Sequence, residues 1–253
     1  TAFYLHGRLG CKEQCIAFDM NLGCTAFTFG IHTISSLIQS QKAGRALLLM
    51  SDTAYDIGAD ADNDRVSDML LFGGAGAAIA IEYCNENNSS MKVINCSDGK
   101  NYRAIFAENN KELHMNGEEV FSFAINKVTS GLNEFMREYN IIDEKIDYYI
   151  LHQAQKLILD SVVSFCNIPE NKELRSLKDY GNTSGASLPL TLCVNKEKLV
   201  NEETVKILFV AFGTGLSWGA VYTPVEVDNI LPVYVTDEYY DETEGKLYGG
   251  ADV

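Results

Sequence analysis

The sequence predicts an α/β protein whose mixed sheets are covered by helices, and three observations lead there. Apolar runs of strand length alternate with stretches of helical periodicity along most of the chain. The order strand, small-residue turn, helix occurs around Cys24 and again around His152, which hints at two related halves. With 253 residues, 46% hydrophobic and 22% charged, the chain is long enough to bury a core and has an ordinary globular composition.

The text opens on Thr1, not Met, inside a helical stretch, which predicts that it is part of a longer chain. The apolar run from Ile16 to Met20 has the length of a buried strand, and Asn21-Leu22-Gly23 follow as a turn. Beyond Cys24, Phe27, Ile31, Ile34 and Ile38 recur at helical spacing up to a glycine stop at Gly44. "RALLLMSDT" reads as a buried strand and "FGGAGAAIAIEY" as a glycine turn feeding another. The polar stretch from Asn85 to Asn116 predicts loops and a short edge hairpin.

A long amphipathic helix is expected from Val120 to Tyr139, then a strand, "IDYYILHQA", ending in His152. Gln153 to Phe165 reads as a helix, and "YGNTSGAS" as a turn opening the next one. "VKILFVAF" is a strand, and "GTGLSWGAVYTP" a turn running into the last strand. From Val225 to Val253 the composition changes: eight Asp and Glu stand against one Lys, with four Tyr. That pattern predicts a solvated acidic extension, with a strand pair packed on the body or on a neighbouring subunit as the alternative.

The net charge of −15 argues against nucleic acid, whose phosphates need Lys and Arg, and against anionic membrane surfaces, while leaving room for a local basic rim around an anionic ligand. The seven cysteines are odd in number and irregularly spaced, with no C-x-x-C, so neither a disulfide framework nor a metal site is expected. A reducing cytoplasm fits them best. No run has the length of a membrane span, and no signal peptide is visible.

Most local motifs reduce to structure. Gly73, Gly74 and Gly76 precede a strand and lack the third glycine of a dinucleotide fingerprint, so they read as a tight turn. The N-x-[ST] pattern, as at Asn88, Asn95 and Asn182, is too short to carry weight. Cys24 by itself reads as a packed thiol, the common state of a cysteine. His152 stands apart because it ends a predicted strand, where catalytic groups of α/β proteins gather. Asn182 lies in a small-residue turn, and "AFGTGLSWG" supplies a second turn whose backbone N–H groups can point inward. Together these form a thiol-nucleophile constellation, with packing left open as the alternative.

"AFDMNLGCTAF", "LFGGAGAA", "ILHQAQ", "YGNTSGAS" and "FGTGLSWGA", in that order and spacing, resemble the β-ketoacyl-acyl-carrier-protein synthase III family of thiolase-fold condensing enzymes. The resemblance runs from Thr1 to about Pro224 and implies a thiolase-like, five-layered αβαβα fold of two related halves. It implies three regions: 1–117, a partial first half carrying the nucleophile and lacking its N-terminal segment; 118–224, the half carrying His and Asn; and 225–253, the acidic extension. It also implies a homodimer and a triad at Cys24, His152 and Asn182. The oxyanion hole would be the backbone N–H groups of Cys24 and Thr214. A helix N-terminus should lower the pKa of Cys24.

The implied reaction moves an acyl group from coenzyme A or a carrier protein to Cys24, then condenses it with a malonyl thioester as CO₂ leaves. No tightly bound cofactor is implied; coenzyme A or phosphopantetheine thioesters are the substrates. Arg65 matches a family arginine near the coenzyme A adenine, although Val66 replaces the usual glycine. Phe121 is retained, while Glu118 stands where an asparagine often meets the ligand. Gln155, Lys156 and Leu157 replace the family's Asn, apolar residue and Arg at the pantetheine and carrier contacts. An altered entrance around preserved chemistry suits a specialised, polyketide-type pathway better than housekeeping fatty-acid initiation, with fatty-acid biosynthesis as the other setting. The rival expectations are an acyltransferase forming esters or amides, and a non-catalytic subunit of a heterodimeric ketosynthase.

Overall fold

The computed structural model describes residues 1–41, 44–52, 71–83, 91–108, 112–241 and 246–248. Its strands are β1 (Arg45–Asp52), β2 (Ala75–Glu82), β3 (Lys92–Ser97), β4 (Ile105–Glu108), β5 (Glu112–Met115), β6 (Tyr148–Leu151), β7 (Glu173–Leu174), β8 (Thr204–Gly213), β9 (Ser217–Glu226), β10 (Tyr239–Asp241) and β11 (Lys246–Tyr248). The helices are α1 (Ala2–Arg8), α2 (Ala26–Gln41), α3 (Gly117–Phe123), α4 (Thr129–Glu138), α5 (Lys156–Phe165), α6 (Leu177–Tyr180) and α7 (Ser187–Val194).

A five-stranded mixed sheet in the order β3-β9-β8-β6-β7 forms the centre. β6 runs parallel to β7 and β8, whereas β8-β9 and β9-β3 are antiparallel. β8 is buried almost throughout, which is why "VKILFVAF" is a continuous apolar run rather than an alternating one. One face of this sheet packs with α3, α4 and α5 through Leu132, Phe135, Leu159 and Phe212. The other face packs with α2 and α7 through Phe27, Ile31, Leu188, Ile207 and Phe209.

Beyond α2 lies the antiparallel pair β1-β2. Leu48 and Met50 of β1 join the α2 core, while Leu47 and Leu49 are exposed. A helix, sheet, helix, sheet layering thus runs through the described residues. α2 occupies its middle, so the turn before α2 opens between the two sheets.

Several elements differ from the sequence expectation. The run from Ile16 to Met20 is not a strand but extended chain, with Ile16 and Phe18 exposed; no described strand runs beside it to take its backbone hydrogen bonds. β1 is buried on one face only. Within the region read as loops, Val93 and Ile94 lie in β3, the edge strand on β9, and only β4-β5 is the expected hairpin. The predicted long helix is α3 and α4 joined by a π-helical turn, Ala124–Val128. Val227 and Ile230 are buried in the α2-side core, so packed structure continues past Val225. β10 and β11 pair with each other farther along the tail.

Candidate active site

Cys24 sits in the Gly23-Cys24-Thr25 turn just before α2, and two distant segments close on it. Gly213, the last residue of β8, leaves no room for a side chain: a Cβ there would lie 2.6 Å from Cys24 Cβ and 2.9 Å from Sγ. The 182–185 turn approaches from the other direction, where a Cβ on Gly185 would meet Ala26 Cβ at 2.9 Å and the Gly23 carbonyl at 3.1 Å. Ser217 Oγ donates to the Thr214 carbonyl at 2.6 Å, which leaves it to accept from Thr25 Oγ1 at 2.9 Å. That bond ties the cysteine turn to the first residue of β9.

The thiol is half-buried, and burial is the largest influence on it, pushing its pKa up to about 11. The Ser184 hydroxyl and the N–H groups of Cys24 and Thr214 act in the opposite direction by donating to sulfur. The expected lowered pKa is therefore corrected. The helix N-terminus and its donors favour thiolate, but the packing of β8 and the 182–185 turn removes more solvent than they replace. Those same two N–H groups are the ones expected to form the oxyanion hole.

His152 follows β6 directly, and its backbone N–H donates to Val210 O at 2.8 Å, extending the parallel pairing by one residue. The side chain is 1% exposed. Its ring stands edge-on to Phe212, with centroids 5.6 Å apart, and Nδ1 lies 2.7 Å from Ser187 Oγ. No described residue pairs with Nε2. Burial lowers the imidazole pKa to about 3, so the ring is neutral at physiological pH.

Asn182 is also buried, in a turn that Gly73 and Leu71 pin from outside. Asn182 N donates to Leu71 O at 2.9 Å, and Gly73 N donates to Asn182 O at 2.9 Å. A Cβ on Gly73 would collide with the Tyr180 carbonyl at 2.0 Å, so the glycine turn serves close backbone approach rather than a cofactor. Asn182 Oδ1 accepts from Ser184 N at 2.9 Å, leaving Nδ2 as the donor end. That bond holds Ser184 in the left-handed region at φ 49°, the conformation that turns its hydroxyl to Cys24.

The three candidate positions are linked through shared neighbours. Ser184 joins Asn182 to Cys24, Gly213 abuts Cys24, and Phe212 beside it contacts His152. The remaining sequence candidates are the expected substrate contacts. Phe121 is half-buried on α3 against the outer core. Gln155 is exposed at the N-cap of α5. Lys156 pairs with Asp160 at 2.5 Å and borders a cavity of about 840 Å³ shared with Glu173, Arg175 and Lys198. Arg65 lies outside the described residues.

Sequence reading missed Ser184, Ser187 and Gln153. Gln153 Oε1 accepts from the N–H groups of Ser176 and Leu177 at 2.9 Å each, and Nε2 donates to Leu151 O at 2.7 Å. This buried amide, bonded at both its oxygen and its nitrogen, fixes the chain beside His152. The signal available was a density of small polar residues in a turn predicted to be buried.

Residues 18–99 match the family described as 3-oxoacyl-[acyl-carrier-protein] synthase III, and residues 136–224 match its C-terminal part. A beta-ketoacyl-[acyl-carrier-protein] synthase III from Clostridium perfringens is 35% identical over 239 residues, covering 87% of this chain and 71% of that one. One from Prochlorococcus marinus is 33% identical over 238 residues, covering 85% and 68%. Among solved structures, a 3-oxoacyl-(acyl-carrier protein) synthase from Burkholderia xenovorans superposes with a TM-score of 0.82 at 29% identity, over 91% of this chain and 70% of that one. A 3-oxoacyl-[acyl-carrier-protein] synthase III from Aquifex aeolicus gives 0.79 at 26% identity, over 88% and 71%.

Proposed function

Since the chain belongs to the 3-oxoacyl-[acyl-carrier-protein] synthase III family of condensing enzymes, we propose that Cys24 carries the acyl group and that His152 and Asn182 activate a malonyl thioester. The chain is a synthase III-like condensing enzyme of fatty-acid biosynthesis and an acyltransferase by reaction class. Which thioesters it uses, how the halves divide and which residues act are the proposal. The observation that carries it is close approach: a Cβ on Gly213 would lie 2.9 Å from Cys24 Sγ, and one on Gly23 3.4 Å from Thr214 Oγ1, so the Thr214 backbone comes in beside the sulfur.

In the first half-reaction Cys24 sulfur attacks the carbonyl of an acyl thioester of coenzyme A or a carrier protein. Negative charge develops on the carbonyl oxygen beside those two N–H groups, which are preorganised to hold it. The departing thiolate takes up one proton as Cys24 gives one up, so the exchange is proton-neutral. A thiol with a pKa near 11 is protonated at rest, which protects it until an acyl donor fills the site.

In the second half-reaction a malonyl thioester places its thioester carbonyl against His152 Nε2–H and Asn182 Nδ2–H. The bond to the carboxylate breaks, CO₂ leaves, and the electron pair becomes an enolate whose oxygen both donors stabilise. The enolate carbon attacks the acyl carbonyl on Cys24, and collapse of the tetrahedral adduct expels the Cys24 thiolate, which is reprotonated. A neutral imidazole and an amide suit this step because each donates without titrating at physiological pH.

The region 1–117 supplies the nucleophile and 118–224 the His and Asn, although β3 of the first joins the sheet of the second. The acidic extension does not begin at 225, because Val227 and Ile230 still pack in the core on the α2 side. A homodimer in the cytoplasm is part of the same reading. Membrane attachment is not, and no described helix is long and apolar enough to cross one. The test is product analysis with paired acyl and malonyl thioesters: His152→Ala and Asn182→Ala should still acylate but lose most CO₂ release. Undiminished condensation in both variants would remove them from the reaction.

A further inference from the structure

Because burial keeps His152 neutral, only one of its ring nitrogens carries hydrogen, and the neighbourhood of Nδ1 decides which. Nδ1 lies 2.7 Å from Ser187 Oγ, in the first turn of α7. Ser187 is 0% exposed, and among the described residues its hydroxyl meets no other partner. Were Nδ1 the protonated nitrogen, the Ser187 hydroxyl would accept, and its own hydrogen would be buried with nothing to bond. An orphaned buried hydroxyl forfeits its full desolvation cost, which disfavours that tautomer.

We propose that Ser187 is the positioning residue of the site: it donates to His152 Nδ1 and thereby fixes the Nε2–H tautomer that faces the substrate carbonyl. The catalytic consequence rests on the role of His152 given above, whereas the tautomer does not.

The placement of Ser187 is itself held. Its carbonyl accepts from Thr191 Oγ1 at 2.7 Å. With that hydrogen used, Thr191 Oγ1 accepts from Ser176 Oγ, also at 2.7 Å. Ser176 N in turn donates to Gln153 Oε1 at 2.9 Å, and Gln153 follows His152 in sequence. The chain of bonds runs from His152 through α7 and back to its neighbour, so the hydroxyl cannot drift without breaking buried hydrogen bonds.

The decisive experiment is long-range ¹H–¹⁵N NMR of the histidine side chains, which is tractable because the chain holds four histidines. Wild-type His152 should show a pyrrole-type Nε2 and a pyridine-type Nδ1 at pH 7. In Ser187→Ala the preference should collapse toward a mixture. Malonyl-thioester decarboxylation should fall about 10- to 100-fold in kcat with little change in KM, while acylation of Cys24 stays at the wild-type rate. A pyridine-type Nε2 in the wild type overturns the assignment even where the variant fails to fold. An unchanged tautomer and unchanged decarboxylation in Ser187→Ala overturn it equally. The tautomer is read without substrate, so a failure of the catalytic reading appears separately, as wild-type decarboxylation in His152→Ala.

Discussion

Gly213 stands so close to Cys24 that a single methyl group between them would touch both Cβ and Sγ, at 2.6 and 2.9 Å. The end of β8 is thus the back wall of the thiol, and the Thr214 N–H is carried in on the same backbone. Gly213→Ala should force one of the two apart. The expected result is a folded protein destabilised by about 1–3 kcal/mol whose Cys24 acylates at least about tenfold more slowly, as Thr214 N–H is displaced. Urea unfolding and timed intact-mass spectra measure the two effects, and wild-type acylation would separate Gly213 from the oxyanion geometry.

His152 makes stability depend on pH in a defined window. Its folded pKa of about 3 lies below the ordinary 6.5, so between those values the unfolded chain binds a proton that the folded one refuses. Stability from this group is fully present above 6.5 and declines as pH falls toward 3, by about 1.4 kcal/mol per unit. His152→Gln, which does not titrate, should lack this part of the slope between pH 5.5 and 4.5. Parallel stability curves for the two proteins would show that the folded imidazole protonates normally.

How much of this was legible in the sequence follows from how far each cause reaches. The helix after Cys24 was readable because Phe27, Ile31, Ile34 and Ile38 face one core at a local period. β8 and β9 were readable as apolar runs around a glycine turn. Strand status depends on partners: the run from Ile16 to Met20 has the composition of a strand but nothing described beside it, whereas Val93 and Ile94 gain theirs from β9, more than a hundred residues away. Cys24, His152 and Asn182 stand out as candidates through motif order, but the direction of the Cys24 pKa does not follow from it. Local reasoning sees the helix N-terminus; the desolvation comes from Gly213 and the 182–185 turn, packed by the tertiary fold.

Ser184 separates two effects that usually travel together. Ser184→Ala and Ser184→Gly both remove the hydroxyl that donates to Cys24, so alkylation by iodoacetamide at pH 8.5 should slow about fivefold in each, the value of roughly one hydrogen bond. Only the glycine also relieves the left-handed backbone at φ 49°. It should therefore unfold at higher urea than the alanine variant, by about 1 kcal/mol. Equal alkylation rates in all three proteins would rule out the hydroxyl as a determinant of thiol acidity.

The central claim is that Cys24 carries the acyl group, and intact-mass spectrometry of the protein incubated with a panel of acyl-coenzyme A thioesters tests it most directly. Wild type should gain the mass of one acyl group from at least one member of the panel, removable by hydroxylamine, and Cys24→Ala should gain none. The same adduct on Cys24→Ala, at the wild-type rate, would contradict the account.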